Sequence, residues 1–364
     1  MAFTAADVKA LREKTGVGMM ECKKALVEAD GDMEKAIECL RERGLAAATK
    51  KAGRIAAEGI ALTYYDEEAK VGVIVEVNCE SAPVAKTDIF KNLVLGVAKT
   101  IAKEAPADVE ALQACTFFGS DRTVTEAFQD AILQIKENMK VRRFERVEGN
   151  VATYIHAGGT VGVIVELEGD ADAAEVKEMG KNVAMQIAAM NPEYLAKEDI
   201  SEAELEKIKN ITVESALNKP DTLPKPILTK VIAKACEGKL WSDEDVAAYE
   251  EQKNNKFLFN FISKEGVAAL AQIAVEGKAE YSADPIFGKA IEGRIKKQIK
   301  EICLLDQEFV RGDLFEGDVR GYVASVAKKI GSDVKVKGFI RYAAGEGIEK
   351  REDDLASEVA NMIK

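Results

Sequence analysis

The chain has 364 residues, of which 47% are apolar, so it is long enough for two or three domains with cores of their own. It lacks a run of 18 apolar residues and a signal-peptide hydrophobic region, which predicts a cytosolic protein that does not span a membrane. A formal net charge of −12 argues against general nucleic-acid binding, because an acidic surface repels phosphate. Six cysteines without a CxxC pair and a single histidine argue against a zinc site and favour reduced, buried thiols.

Residues 4–46 show the apolar spacing of three short helices. Thr4 and Asp7 fit a capping box at the first helix, and the stretch TGVG forms the turn to the second. Asp32 can cap the third helix, and Gly44 is expected to end it. This pattern predicts a three-helix module and its linker over residues 1–54.

An internal repeat follows the module. Residues 58–80 (EGIALTYYDEEAKVGVIVEVNCE) align without a gap to 148–170 (EGNVATYIHAGGTVGVIVELEGD), with ten of 23 positions identical. Each copy predicts two strands across a turn and then a helix. A third strand-rich stretch lies at 334–350, before a segment of helical character.

The predicted fold class is therefore α+β, with helices packed on antiparallel sheets in a duplicated core. Residues 200–300 are largely helical in pattern and are predicted to form an arm inserted into the second core copy. The predicted divisions after the module are 55–140 (first core repeat), 141–200 (second core repeat), 201–300 (helical arm, unusual near 219–285) and 301–364 (the rest of the second core and a terminal helix).

The sequence holds little that could carry catalysis. His156 is the only imidazole, so histidine-dependent triads and metal sites have at most one candidate, and it falls in a predicted hairpin. The chain has no GxxxxGK[ST] phosphate loop, and its short glycine motifs lack a strand–helix context. We expect no catalytic residue, no metal site and no cofactor, which favours a binding protein over an enzyme.

One strand-to-helix turn remains ambiguous. In VEVNCESAPVAKTDIF, residues 75–90, an apolar strand ends in a polar cap before a helical pattern begins. Ser81 or Pro83 could simply start a helix, or the turn could be a functional loop. The residues alone leave both interpretations open.

The chain resembles the bacterial elongation factor Ts family. The run LREKTGVGMMECKKAL is typical of the family's N-terminal, ubiquitin-associated-type domain. The resemblance continues through KKAGRIAAEG, VEVNCE, VRRFERVEG, NVAMQIAAMNPEYL and EICLLDQEFV, and ends in VKGFIRYAAGEGIEKREDDLASEVANM. It covers nearly the whole chain except roughly 219–285, and it implies duplicated core subdomains with a helical arm.

The resemblance implies guanine-nucleotide exchange on elongation factor Tu, bound both with GDP and without nucleotide. In the family, the turn after Asn-Cys-Glu reads Thr-Asp-Phe-Val and helps to dislodge the partner's Mg²⁺. Here the four positions are Ser81, Ala82, Pro83 and Val84, so the carboxylate and the aromatic ring are missing. We therefore expect exchange with weakened Mg²⁺ displacement.

The other implied contacts with the partner are better retained. Ile135 matches a contact position, although the glycine usually beside it is Lys136 here. The alternative is a binder that sequesters elongation factor Tu without exchange, and self-association through the arm stays open. The implied partner-binding residues are Arg12, Met19, Met20, Ile135, His156, Ile302 and Met362.

Overall fold

The computed structural model describes residues 3–169 and 173–349. It divides into two compact units, Met1–Asn191 with Phe309–Lys364, and Pro192–Glu308. The helices and antiparallel strands confirm the predicted α+β class. In chain order the elements are α1 (Ala5–Thr15), α2 (Met19–Glu28), α3 (Met33–Lys51), β1 (Glu58–Asp66), β2 (Val71–Cys79), α4 (Ala82–Ala85), α5 (Asp88–Glu104), α6 (Val109–Ala114), α7 (Val124–Ile135), β3 (Met139–Glu148), β4 (Val151–His156), β5 (Val161–Gly169), α8 (Ala174–Met190), α9 (Glu202–Leu217), α10 (Lys225–Glu237), α11 (Asp243–Gln252), α12 (Lys264–Glu276), α13 (Lys278–Ser282), α14 (Pro285–Ile302), α15 (Val319–Ile330) and β6 (Val334–Ala343).

The first three helices form the predicted module. Thr4 caps α1 in a capping box with Asp7, and Gly16 ends α1 at a φ of +69°, a conformation that glycine adopts without steric cost. Asp32 accepts hydrogen bonds from two backbone N–H groups at the start of α3. The module has an apolar core of its own, which includes Leu11, Cys22, Leu26 and Leu40. The likeness to a ubiquitin-associated domain stays a prediction.

Gly44 does not end α3, contrary to the sequence-based expectation, because the helix continues to Lys51. Gly44 is buried, and a Cβ atom there would lie 3.2 Å from the backbone oxygen of Gln129 in α7. The missing side chain therefore serves close packing between two helices. The sequence pattern alone does not distinguish this use of glycine from a helix stop.

Each copy of the repeat supplies two strands of a three-stranded antiparallel sheet. The strand orders are β1-β2-β3 and β4-β5-β6. Both sheets have a register shift at the same place in the repeat, at Glu76/Val77 and at Glu166/Leu167. The third strand of each sheet follows a 12-residue helix, α7 before β3 and α15 before β6. The duplication therefore extends beyond the 23 residues that the sequence comparison identifies.

The structure differs from the predicted division at residues 140/141, which lies inside β3. This strand pairs with β2 along its whole length, from Met139 opposite Cys79 to Glu148 opposite Val71. It belongs to the first sheet, whereas the division assigned most of it to the second repeat. Pairing between distant strands satisfies backbone hydrogen bonds that local periodicity does not reveal.

The two sheets face each other across a shared apolar layer. Ile74 and Ile164, which occupy equivalent positions in the repeat, are fully buried in it. The glycine of each VGVIVE segment allows a close approach by the other sheet. A Cβ at Gly72 would lie 2.7 Å from the Val151 side chain, and one at Gly162 would lie 2.9 Å from the backbone oxygen of Ala61.

A buried carboxylate lies at this junction. The Glu76 side chain is fully buried and accepts hydrogen bonds from Arg142 Nη1 (3.0 Å), Arg143 Nε (2.7 Å) and the Gly345 N–H (2.8 Å). Burial by itself would raise the pKa of Glu76, but the Gly345 N–H, the Asn78 amide and the two arginines together lower it. The carboxylate thus links β2, β3 and the segment after β6.

The second unit is helical and has a separate core. It contains the predicted arm at 201–300, and the unusual part near 219–285 contributes to that core. Trp241 is buried and donates from Nε1 to the backbone oxygen of Gly266 at 2.9 Å. Asp245 links α11 to α12 because it accepts from both the N–H and the hydroxyl of Ser263, each at 2.7 Å. No helix in the described residues is both long and apolar enough to cross a membrane.

A Glu76→Gln substitution should destabilise the protein at pH 7 by roughly 3 kcal/mol, because a buried neutral amide replaces the counter-charge of two partly exposed arginines and turns one acceptor oxygen into a donor. The pKa of Glu76 is lowered from 4.5 in the folded state, so its contribution is present above pH 4.5 and is lost as pH falls through the folded pKa. Thermal unfolding from pH 3 to 7 should show the gap between variant and wild type narrowing in acid. A gap that is constant with pH would contradict this role for Glu76.

A Gly345→Ala substitution should destabilise the fold more than Gly119→Ala does. Both glycines have positive φ, +75° and +77°, so each substitution costs about 1 kcal/mol in backbone strain. At Gly345 the added Cβ would also lie 2.0 Å from the backbone oxygen of Ala57, whereas at Gly119 it meets nothing within 4 Å. Chemical denaturation of the two variants measures the difference, and equal losses would contradict the close approach at Gly345.

Candidate functional site

The turn at 81–84 is both a helix start and an exposed surface. Ser81 occupies the N-cap of α4, a single turn of helix with Pro83 in its first turn. Ala82 and Pro83 are exposed, and Val84 packs partly against the first core. The two interpretations of the sequence are therefore compatible: the segment joins β2 to α5 and presents two residues to solvent.

The Glu137 carboxylate holds the beginning of this turn. Its Oε2 accepts from the Ser81 N–H at 3.0 Å, and its Oε1 accepts from the Ser81 hydroxyl at 2.6 Å. Hydrogen bonds to an ionised carboxylate are about twice as strong as those between neutral groups. The Ser81 hydroxyl donates to Glu137 and does not cap α4.

A second set of contacts joins the same two chain segments. Glu80 Oε1 accepts from the Asn138 N–H at 2.5 Å, and the Asn138 side-chain amide donates to the backbone oxygen of Arg54 at 2.8 Å. Asn138 is almost fully buried. The turn, the loop after α7 and the end of the module's linker are therefore hydrogen-bonded to one another.

Sequence reasoning missed Glu137 and Asn138. They lie more than 50 residues from the turn along the chain, and no local period connects them with it. The available signal was the polar stretch KEN at 136–138, between an amphipathic helix and a strand. Such a stretch predicts a loop, but it does not predict which distant backbone groups the loop contacts.

Ile135 is the last residue of α7 and is half-buried against the first core. Lys136 follows in the left-handed conformation at a φ of +67°, and its N–H donates to the Ile132 oxygen at 2.9 Å. This position favours glycine, so the lysine is accommodated at a cost in backbone strain. It turns the chain so that Glu137 reaches Ser81.

The predicted contact residues of the module are exposed. Arg12 lies on α1, and the first two residues of α2 are Met19, with 43% of its surface exposed, and Met20, with 66%. The module's apolar core includes neither methionine. Both methionines are available to a partner.

The start of α2 and the end of α7 lie close together. The Gln134 side chain in α7 donates to the Thr15 backbone oxygen at 2.9 Å, next to the turn that leads into α2. A hydrogen bond from Lys24 is the main cause of a lowered pKa at Glu21, and the positive charge of Lys136 contributes to the same shift. The end of α7 therefore contacts both Thr15, at the turn that leads into α2, and Ser81 of the 81–84 turn.

His156 lies at the end of β4 and is exposed. Its Nδ1 lies 3.2 Å from the Tyr154 hydroxyl, which orients the ring. The hairpin after it is anchored to the first sheet because the Ala61 N–H donates to the Gly159 oxygen at 2.8 Å. No hydrogen bond, ion pair or ring contact within the described part of the chain joins the His156 side chain to the module or to the 81–84 turn.

The remaining two predicted residues are separate from these. Ile302 is the last residue of α14, is half-buried, and belongs to the second unit. Met362 and the predicted terminal helix after residue 350 lie outside the described residues.

The two side chains exposed at the tip of the 81–84 turn, Ala82 and Pro83, carry no ionisable group. No group of three His, Cys, Asp or Glu residues able to hold a metal ion occurs in residues 3–169 and 173–349. All six cysteines are free thiols, and Cys79, directly before the turn, is fully buried. What the turn presents to solvent is methyl and pyrrolidine surface.

Comparison with known proteins identifies the family. The family model described as "Elongation factor TS" matches residues 80–346, which is well over half of the chain. The chain belongs to the elongation factor Ts family. Elongation factor Ts of Clostridium perfringens strain 13 is 41% identical over 365 residues, with 99% of each chain covered. The Clostridium kluyveri protein (strain NBRC 12016) is 40% identical, with 100% of this chain and 99% of that protein covered, and the Clostridium tetani protein is 39% identical, with both chains fully covered.

Cys79 in this elongation factor Ts family member should react slowly with thiol reagents. Burial, reinforced by the negative charge of Glu137, raises the pKa of Cys79 to about 12, so almost no thiolate is present at pH 8. Mass spectrometry after brief alkylation of the native protein should find the half-buried Cys39 labelled well before Cys79. Denatured protein should show equal labelling, and rapid native labelling of Cys79 would contradict the prediction.

Proposed function

We propose that the chain is a guanine-nucleotide exchange factor that promotes GDP release from elongation factor Tu. The similarity to elongation factor Ts proteins over essentially the full length carries this proposal. This nucleotide exchange belongs to translation elongation, so we expect the protein to act in the cytoplasm. The chain acts as a binding partner and not as an enzyme in the usual sense.

The proposed mechanism is thermodynamic linkage. The chain binds nucleotide-free elongation factor Tu more tightly than the GDP-bound form, so GDP loss and factor binding favour each other reciprocally. This requires complementary surface and no acid–base residue. Exposed Met19 and Met20 on the module, together with the exposed Ala82 and Pro83 of the 81–84 turn, supply surface of the right kind.

The turn is proposed to contact the partner near its Mg²⁺. A carboxylate could disturb the waters around that ion, and an aromatic ring could fill a pocket, but Ala82 and Pro83 offer neither. We therefore expect slower exchange than a turn with both groups would give. Arg12, Met20, Ile135 and His156 are proposed as contacts that bind the partner, and Ile302 and Met362 as further contacts.

Stopped-flow release of a fluorescent GDP analogue from elongation factor Tu tests the proposal. The dissociation rate should rise with the concentration of this chain and then saturate. An unchanged rate at saturating protein, with binding verified separately, would reject exchange.

The second candidate is a protein that sequesters elongation factor Tu without exchange. The observation that favours it is the exposed Ala82–Pro83 pair, which lacks the charge and the ring. It predicts a stable complex with an unaltered GDP release rate. Light scattering coupled to gel filtration, with and without elongation factor Tu, measures complex formation and also whether the chain associates with itself.

A double substitution in the module, Arg12→Ala with Met20→Ala, should weaken binding to elongation factor Tu at least tenfold. A few central residues usually dominate such interfaces, and both side chains are exposed in the free protein. Calorimetric titration measures the dissociation constant, with thermal unfolding as a check on the fold. An unchanged constant would remove the module from the interface, and deletion of residues 1–50 should then also be tolerated.

Restoring the turn's chemistry with Ala82→Asp and Pro83→Phe should raise the GDP release rate more than it raises affinity. The added groups would act where Mg²⁺ and phosphate leave, and only contacts that differ between two states shift their equilibrium. Stopped-flow measurement at saturation gives the rate, and titration gives the affinity.

Ala82→Asp alone is the matched control, because Pro83 fixes φ near −65° and its removal loosens the turn. If neither variant changes the release rate while binding stays intact, residues 81–84 are a structural joint and exchange depends on the rest of the interface.

A further inference from the structure

We propose that Glu137 is a positioning residue that fixes the 81–84 turn relative to the end of α7, so that the turn and the module meet elongation factor Tu as one rigid surface. This rests on the proposed function. No sequence motif identified Glu137, and its contacts explain how the 81–84 turn and the end of α7 act together.

The first argument is that α4 cannot orient itself. It has four residues, and a single helical turn has little stability of its own. A serine at an N-cap ordinarily accepts a hydrogen bond from a backbone N–H one turn ahead. Ser81 makes no such bond, and its hydroxyl instead donates to Glu137 at 2.6 Å. The direction of the turn is therefore set from outside it.

The second argument is that both oxygens of Glu137 are used on the same residue. Oε2 accepts from the Ser81 N–H at 3.0 Å while Oε1 accepts from the hydroxyl. Two bonds from one planar group restrict rotation as well as distance, which a single bond does not. Ala82 and Pro83 follow Ser81 directly, so the position of Ser81 also determines the direction in which these two residues project.

The third argument concerns what Glu137 is itself attached to. Lys136 ends α7 in the left-handed conformation, and Asn138 donates its N–H to Glu80 and its side-chain amide to the Arg54 oxygen. Gln134 in the same helix donates to Thr15 of the module at 2.9 Å. Residues 134–138 thus contact the module, its linker and the turn, so a displacement of one is transmitted to the others.

The proposal predicts different effects on the affinity for elongation factor Tu and on the maximal GDP release rate. Loss of Glu137 leaves the exposed contact residues in place but lets the turn rotate, so affinity should change less than twofold. A small misplacement can be costly where geometry matters, and we expect the maximal GDP release rate to fall about tenfold.

The experiment compares Glu137→Ala, Glu137→Gln, Ser81→Ala and the double variant Glu137→Ala with Ser81→Ala. Glutamine keeps one acceptor oxygen and should recover part of the maximal release rate. The double variant should lose less than the product of the two single losses, because both remove the same contact. Glu148→Ala is the matched control: that side chain is 76% exposed and pairs with Arg146 on the same strand.

A measurement on the free protein distinguishes failure of the positioning role of Glu137 from failure of the proposed nucleotide-exchange function. In Glu137→Ala, the Ser81 amide should exchange with deuterium at least tenfold faster, while amides in the middle of α5 are unchanged. If the wild type does not accelerate GDP release, the proposed function fails, whatever the deuterium exchange at Ser81 shows.

If the wild type accelerates release and the folded Glu137 variants match it in maximal rate, the positioning role is overturned. Equal deuterium exchange at Ser81 in the variant and the wild type would overturn it as well. Should Glu137→Ala fail to fold, Ser81→Ala and Glu137→Gln give the same comparison with smaller perturbations.

Discussion

The core depends on the contacts of one buried group, the Glu76 carboxylate. It lies on the central strand of the first sheet and is closed off from water. Arg142 and Arg143 from β3 supply its counter-charge, and the Gly345 N–H beyond β6 donates a hydrogen bond to it. A charge in that position is tolerated only when all three segments are in place, since an unpaired buried charge costs several kcal/mol. The carboxylate therefore couples two steps of folding: the pairing of β2 with β3 in the first sheet, and the packing of the segment after β6 against that sheet.

Duplication explains the rest of the architecture. Each half is a hairpin followed by a helix and, later in the chain, a second helix and a third strand, with the same register shift in each sheet. The connection between the two helices is short in the first half, and in the second half it contains the helical unit Pro192–Glu308. An insertion at a surface connection leaves the paired strands unaffected, which is why a unit with its own core is accommodated there.

The surface proposed to bind elongation factor Tu is made from segments that share no local motif. Helix α7 organises it: Gln134 contacts the module, Ile135 packs on the core, and Glu137 holds Ser81. The turn at 81–84 is rigid at its base and chemically plain at its tip. Its effect on a partner is then set by where Ala82 and Pro83 are held, and much less by what they can do chemically.

The sequence by itself determined the three module helices, the repeated hairpins, the helical character of residues 200–300 and the family resemblance, because local periodicity, capping residues and motif identity are written in consecutive residues. It did not determine that Gly44 permits helix packing, that β3 completes the first sheet, or that Glu137 holds Ser81. The two VGVIVE segments show the reason. Glu76 is buried beneath arginines, whereas Glu166, its equivalent, is partly exposed and pairs with Lys337. Identical local sequence reached different environments because the third strands that pair with these segments differ in residues: Arg143 lies opposite Glu76, whereas Gly338 lies opposite Glu166. Only the tertiary structure decides which of these distant residues meet.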